Sequence, residues 1–164
     1  MPTWTPAENT LIGQAWNDTS TTTKHKVGTI VRMKDLSYGA GEFIYMKGVA
    51  SCEQYDWVTL NADDGTVTRL VANAVGPVGI AQAAITASYY GWFQISGKAI
   101  GQCLTQFADN AKVWITATAG AVDDASVAGD LVINAKGASL TTVDSGVADF
   151  EISRPWVNDR QSGS

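Results

Sequence analysis

The chain has 164 residues and a formal net charge of −5, from 11 basic and 16 acidic side chains. Its length suits one domain with its own core, and the scattered basic residues argue against nucleic-acid binding, which needs clustered Lys and Arg. No apolar run approaches the roughly 20 residues of a membrane-spanning helix, and the first residues lack the regions of a signal peptide. We therefore expect a protein made in the cytoplasm, with neither a membrane nor a nucleic acid as partner.

Charged residues make up only 16% of the chain, whereas soluble domains average roughly a quarter. The same chain contains 16 glycines and 6 tryptophans. A low charge count with this composition suggests that neighbouring protein covers much of the surface. Self-association is the simplest explanation.

Residues 1–27 are rich in threonine and poor in aliphatic side chains, yet Trp4 and Trp16 stand among their polar neighbours. A segment of this composition cannot bury a core of its own. It is either a disordered tail or an extended arm whose tryptophans dock on a partner. The two isolated tryptophans favour the arm, because tryptophan is enriched among interface anchors.

From Val27 onward, short apolar runs alternate with Gly, Asp and Asn at intervals of about ten residues, which is typical of an all-β sandwich or small barrel. The runs are Val27–Met33, Glu42–Val49, Trp57–Leu60, Thr66–Ala72, Val78–Ala84, Tyr89–Ile95, Ala111–Thr118, Asp130–Asn134 and Val147–Ile152. We predict a compact all-β domain over residues 28–152 with at most one short helix, for which residues 80–88 are the candidate. Asn61–Gly65 is a predicted hairpin turn in which Gly65 supplies a positive φ.

Tyr89–Phe93 is the densest aromatic stretch of the chain. Tyr90, Trp92 and Phe93 could form a platform for sugars or nucleobases, or pack as a strand in the core or at a subunit interface. A nucleobase platform usually comes with a basic groove, which the flanking residues do not offer. We therefore assign these three residues to the core or to self-association.

Residues 153–164 form a predicted C-terminal tail, which opens on Ser153-Arg154-Pro155-Trp156. Trp156 is a third isolated tryptophan in a polar setting. We predict that it docks on a partner together with Trp4 and Trp16.

Side chains suited to catalysis are sparse. His25, the only histidine, lies between two lysines in the N-terminal arm, far in sequence from Cys52 and Cys103. Nucleophilic catalysis needs a base beside the nucleophile, and zinc sites need clustered Cys and His. The adjacent pairs Asp63–Asp64 and Asp123–Asp124 belong to turns. We predict no enzyme, no metal and no cofactor, and two free, buried thiols.

Two segments resemble parts of small virion proteins of tailed phages: Gly41–Ala50 (GEFIYMKGVA) and Tyr90–Ala99 (YGWFQISGKA). The runs Gly76–Ala81 and Ala128–Leu131 are similar in style. Over residues 27–134 the chain resembles head-decoration, or capsid cement, proteins, particularly those of short-tailed phages of aquatic bacteria.

The resemblance implies a β-rich homotrimer on the outer surface of the capsid, where it bridges neighbouring major capsid protein subunits and stabilises the shell. It supplies no catalytic residues. The long arm and the Arg154-Pro155-Trp156 tail depart from the shorter decoration proteins. The alternative function is a carbohydrate-binding or host-adhesion module of the virion, and a tail or head–neck protein is a third possibility.

Overall fold

The computed structural model describes residues 1–7, 13–104, 106–139 and 146–158, which form strands and turns without a helix. The predicted all-β fold is confirmed. Eleven strands cover Thr5–Pro6 (β1), Ile30–Asp35 (β2), Gly39–Gly48 (β3), Trp57–Asn61 (β4), Thr66–Arg69 (β5), Val75–Ala81 (β6), Tyr90–Gln102 (β7), Lys112–Ile115 (β8), Val122–Asp123 (β9), Leu131–Gly137 (β10) and Val147–Asn158 (β11).

Each predicted apolar run overlaps a strand of this set. The candidate helix at residues 80–88 is instead the end of β6 followed by a turn. The predicted hairpin between β4 and β5 is present, with Asn61 opposite Thr66 and Gly65 at φ +74°. The turn is closed by Asp64, whose carboxylate accepts a hydrogen bond from the Thr66 backbone N–H at 3.0 Å.

All eleven strands belong to one mixed sheet that folds back on itself. The order of pairing is β1-β2-β3-β5-β4-β6-β7-β11-β10-β8-β9, with additional pairings of β3 with β7 and of β6 with β11. The pairings among β3, β5, β4, β6 and β7 therefore close into a ring. The resulting stack of layers is consistent with a β-sandwich.

The side chains form three hydrophobic cores, which follow one another through the stack. The aromatic core contains Trp4, Trp16, Val31, Met33, Phe43, Tyr45 and Trp92. The middle core contains Met46, Cys52, Val58, Leu60, Val67, Ala81, Ala83, Ile85, Phe93 and Ile95. The large core contains Trp57, Leu70, Val78, Ile80, Ala99, Cys103, Phe107, Val113, Ile115, Val122, Val132, Ala148, Phe150, Ile152 and Val157.

Alternation along the strands explains this layering, because successive side chains of a strand point to opposite faces. In β4, Trp57 belongs to the large core, whereas Val58 and Leu60 belong to the middle core. In β7, Trp92 belongs to the aromatic core and Phe93 to the middle core. Strands with both faces buried hold the three cores together as one body.

Strand β7 pairs with strands of two layers, and it changes partners at Gly97. Its first half pairs with β3, and its second half pairs with β11. Gly97 has φ +97°, and a Cβ there would lie 2.6 Å from the carbonyl oxygen of Ala40. Only glycine combines this backbone conformation with so close an approach of a neighbouring strand.

The structure differs from the predicted domain limits at both ends. Residues 1–7 and 13–27, here called the N-terminal segment, lie against the domain, and β1 pairs with β2. Residues 153–158 continue β11 and pair with β6 and β10. Both departures have one cause, namely that the side chains of these residues complete cores built by distant strands. Residues 8–12 and 159–164 of the predicted arm and tail lie outside the described part.

Candidate partner-docking surface

The buried thiols and carboxylates of the described residues have the surroundings of structural groups. Cys52 and Cys103 are both buried, and neither forms a disulfide, as predicted. Burial raises the pKa of the Cys52 thiol to about 11, so at neutral pH it remains protonated and is a poor nucleophile. Within the described ranges, no group of three His, Cys, Asp or Glu side chains could hold a metal ion.

Asp56 is the most deeply buried carboxylate of the described residues, and it is fully engaged in structural contacts. Its oxygens lie 2.7 Å from Arg69 Nε, 3.1 Å from Arg69 Nη2 and 2.7 Å from the Glu53 backbone N. Burial raises the pKa of Asp56 more than the Arg69 guanidinium lowers it. Gly120 has φ +81° and packs so closely on this carboxylate that a Cβ there would clash with it. The pair joins β4 and β5 to the turn before β9.

A second polar cluster ties the β2–β3 hairpin to the sheet. Tyr38 Oη donates a hydrogen bond to Asp149 at 2.7 Å, and Lys98 Nζ lies 3.1 Å from the same carboxylate. The Lys98 ammonium also lies 4.6 Å from the centre of the Tyr38 ring. Burial, followed by the hydrogen bond to Asp149, raises the pKa of the Tyr38 phenol. The phenol therefore remains a hydrogen-bond donor, and the cluster fixes the hairpin.

Trp4 and Trp16 were predicted as docking anchors on an exposed arm, but the structure places both in the aromatic core. Their exposed fractions are 3% and 7%. The Trp4 ring packs edge-on against Phe43 at 5.0 Å between ring centres. The strands β2, β3 and β7 present an aromatic outer face that the N-terminal segment covers. In this conformation neither indole is available to a partner.

Gln14 holds the N-terminal segment on this aromatic face through its polar contacts. Its side-chain oxygen accepts a hydrogen bond from Tyr45 Oη at 2.7 Å, and its amide nitrogen donates to the Tyr90 carbonyl at 3.0 Å. The Gln14 backbone oxygen accepts from Trp92 Nε1 at 2.9 Å. His25 packs on the same cluster, with its ring 5.4 Å from Trp92.

The residues assigned to the core or to self-association lie on β7. Trp92 and Phe93 are completely buried, Trp92 in the aromatic core and Phe93 in the middle core. Tyr90 is half-buried and stacks on Tyr45 at 6.1 Å. All three make contacts inside this chain, and their predicted part in self-association remains a prediction.

Trp156 is the one exposed member of the six tryptophans, all of which lie in described residues. Its side chain is 43% exposed, on the face of β11 opposite the buried Val157. Across the sheet it lies opposite Ile133 of β10 on one side and Pro77 of β6 on the other. Directly opposed residues of antiparallel strands share a face. Trp156, Ile133 and Pro77 therefore form one outward-facing apolar row.

The row continues to Val75, two residues before Pro77 on β6. Val75 is 61% exposed and Ile133 is 41% exposed. We call this surface of Val75, Pro77, Ile133 and Trp156 the Trp156 face. Scattered exposed apolar residues are ordinary, whereas a contiguous apolar row around a tryptophan is unusual, and this makes the Trp156 face the candidate docking surface.

An apolar pocket of about 150 Å³ adjoins the Trp156 face. It is the open end of the middle core, and Pro77 belongs to both the pocket and the face. Its lining is almost entirely apolar: Ile30, Ile44, Met46, Leu60, Ala62, Pro77, Val78, Ile95, Arg154 and Pro155. A protruding apolar side chain of a partner would fit such a pocket.

A charged pair borders this surface. Arg154 donates from Nε and Nη2 to Glu42, both at 3.1 Å. Arg154 has φ +48°, which is uncommon for a residue with a Cβ. The conformation falls where β11 leaves its pairing with β7 and joins β6, so that Trp156 points outward. Ion pairs at the rim suit an interface with an apolar centre.

Sequence reasoning predicted Trp156 but missed Val75, Pro77 and Ile133. These residues are far apart along the chain and become neighbours only through the pairing of β6 and β10 with β11. The apolar residues of β6 and β10 gave the only available signal. The pairing register that places them opposite Trp156 depends on contacts throughout the sheet, so the local sequence does not reveal it.

Comparisons of the chain with protein-family models, with curated proteins and with solved structures find no match. In the described part of the chain there is no helix long and apolar enough to span a bilayer.

Proposed function

We propose that this chain is a virion structural protein that decorates a phage capsid and stabilises it by bridging neighbouring major capsid protein subunits. The observation that carries the proposal is Trp156, a large apolar side chain held outward on a paired strand beside an apolar pocket. Rigid tryptophans near the centre of apolar patches are typical interface anchors. In this proposal the Trp156 face contacts the shell.

Three further features support the same function. The low charge fraction suits a protein whose surface is largely in contact with neighbours. The segments Gly41–Ala50 and Tyr90–Ala99 resemble capsid cement proteins. On a closed shell with many copies, modest single contacts become effective through multivalency. We propose a homotrimer on the outer capsid surface as the decorating unit.

The test is binding of the Trp156→Ser variant to expanded, genome-free shells built from the major capsid protein of the same phage. We expect binding about 30-fold weaker than wild type, the effect of losing a hot spot of about 2 kcal/mol. The matched control is Leu36→Ser, which removes a fully exposed apolar side chain at the tip of the β2–β3 hairpin. The control should bind like wild type.

Shell occupancy is measured by co-sedimentation across a range of protein concentrations. If Trp156→Ser and Leu36→Ser both bind like wild type, the Trp156 face is not the docking surface. If the wild-type chain itself does not bind the shells, the capsid function is wrong. Both variants must first be shown to be fully folded at the temperature of the binding assay.

A second candidate function, glycan binding by the virion, is favoured by an open cleft of mixed apolar and polar lining, formed by β10 and β11 near Trp156. This open cleft of about 410 Å³ is lined by Asn134, Ala135, Lys136, Glu151, Ile152 and Ser153. Asn134 follows Ile133, the cross-strand neighbour of Trp156. An indole beside amide, hydroxyl and charged groups is a suitable environment for a sugar ring.

A glycan array separates the two functions. Capsid cement predicts no specific sugar binding by the wild-type chain, whereas glycan binding predicts at least one positive glycan. That signal should be lost in both Trp156→Ser and Asn134→Ala. A signal that survives both substitutions places the sugar site elsewhere.

A further inference from the structure

The aromatic outer face of β2, β3 and β7 forms a groove that is complete before the N-terminal segment covers it. Phe43 and Tyr45 come from β3 and Trp92 from β7, and these strands pair with each other along their length. The half-buried Tyr38 and Tyr90 border the groove. The aromatic walls therefore come from residues 30–102, and His25 packs against Tyr45 and Trp92 beside them.

Residues 1–7 and 13–20, here called the strap, occupy this groove mainly through side chains. Trp4 and Trp16 supply the apolar contacts, and Gln14 supplies hydrogen bonds to Tyr45 and Tyr90. The strap thus places apolar side chains in the groove and forms hydrogen bonds with specific atoms of its walls. These are the properties of a peptide ligand in its binding site.

The backbone pairing of the strap is short by comparison. Thr5 and Pro6 pair with Lys34 and Met33, and Ser20 forms an isolated bridge with Tyr90. The link from the strap to the domain is Thr21–Thr23, whose side chains are all exposed. Detachment of the strap therefore breaks few backbone hydrogen bonds outside the groove.

We propose that the groove also accepts the strap of a second copy of this chain, so that copies are linked by exchanged N-terminal straps. The contacts in the groove are the same whether the strap comes from the same chain or from a neighbour, which makes such exchange a low-cost route to oligomers. Close spacing of copies raises the effective concentration of the neighbouring strap. The inference does not depend on the proposed capsid function.

The experiment uses the full chain with cysteines at Thr5→Cys and Lys34→Cys, which are opposed residues of β1 and β2. The protein is partly unfolded in urea, refolded at high concentration, fractionated by size and then oxidised. The matched control is Lys34→Cys with Ala40→Cys, opposed residues of the β2–β3 hairpin. Hairpin partners stay in one chain, so the control should form only intrachain disulfides.

We expect the oligomer fraction of the first variant to give mainly interchain disulfides on a non-reducing gel. Oligomers with only intrachain disulfides would overturn the proposal, and so would a chain that stays monomeric under every refolding condition.

Wild-type chains provide a second measurement that needs no substitution. Equal amounts of ¹⁴N- and ¹⁵N-labelled chains are refolded together, and the N-terminal amine is cross-linked to Lys34 by an amine-reactive reagent. Exchange predicts peptides of mixed isotope composition in the oligomer fraction. Isotopically pure peptides alone would show that every strap stays on its own chain.

Discussion

The N-terminal segment and the end of β11 look alike in sequence and differ in the structure. Each carries tryptophan among polar residues, yet Trp4 and Trp16 are buried while Trp156 is 43% exposed. The outer face of β2, β3 and β7 is covered by the N-terminal segment. No layer of the described residues covers Trp156 in the same way, and a large part of its indole is in contact with solvent. Whether an isolated tryptophan is a core residue or a candidate contact residue therefore depends on whether other parts of the chain pack over it.

The two regions also differ in their polar contacts. The N-terminal segment is fixed by Gln14 and by Asp35, whose carboxylate accepts a hydrogen bond from the Thr3 backbone N–H at 2.7 Å. Around Trp156 the side chains of Pro77 and Ile133 offer apolar contact only. Hydrogen bonds to defined atoms fix the position of the N-terminal segment on the domain. The apolar face around Trp156 has no such covering segment and can contact a partner.

The largest expected effect comes from truncating one tryptophan of each region. Trp4→Ala should lower the free energy of unfolding by about 3–5 kcal/mol, because it removes a buried indole that packs on Phe43. Trp156→Ala should lower it by about 1 kcal/mol or less, since that side chain is partly solvated. Urea unfolding of both variants measures the difference. Equal losses would mean that the two regions are equivalent.

A smaller effect is expected from Gln14→Leu. The change leaves Tyr45 Oη without its acceptor, which should cost about 1–3 kcal/mol. The Tyr90 carbonyl loses one of its donors and keeps the Ser20 backbone N–H at 3.1 Å. The control Gln106→Leu changes an exposed side chain and should stay within about 0.5 kcal/mol of wild type. Thermal and urea unfolding measure both. A loss no larger than that of the control would show that Gln14 does not hold the segment.

The smallest effect concerns pH and the attachment of the first residues. Hydrogen bonds from the Thr3, Tyr38 and Ser37 backbone N–H groups lower the pKa of Asp35, and the bond from Thr3 contributes most. These hydrogen bonds therefore stabilise the folded state fully at pH values above 3.8, the ordinary pKa of the carboxyl group. This stabilisation is lost as the pH falls through the lowered pKa of Asp35 in the folded state. The stability difference between wild type and Asp35→Asn should shrink from pH 6 to pH 3. A constant difference would contradict the assignment.

The strands were predictable because apolar runs and turn residues are local features. The run Tyr89–Ile95 predicted the first half of β7, but Gly97-Lys98-Ala99 looks like the opening of a turn in the sequence. In the structure the strand continues through Gly97, because a glycine at φ +97° lets β7 bend while it changes partners from β3 to β11. Pairing with a distant strand overrides the local signal.

The candidate site was less predictable for the same reason. The composition of residues 1–27 correctly excludes a core of their own, yet Trp4 and Trp16 complete a core whose other side chains come from β2, β3 and β7. At the other end, Arg154-Pro155 suggested a break, whereas β11 continues to Asn158. The composition of a segment indicates whether its own side chains can form a core. It does not indicate whether a strand distant in sequence provides an apolar surface on which those side chains pack.

The position of β11 has a consequence for how the chain folds. Phe150, Ile152 and Val157 of β11 belong to the large core, and the strand pairs with β6, β7 and β10. During synthesis the large core therefore stays open until residues 147–158 have left the ribosome. Contacts between residues so distant in sequence make folding slow, and unpaired strand edges are prone to aggregate meanwhile. We therefore expect β6, β7 and β10 to expose unpaired edges to other chains until β11 has been synthesised.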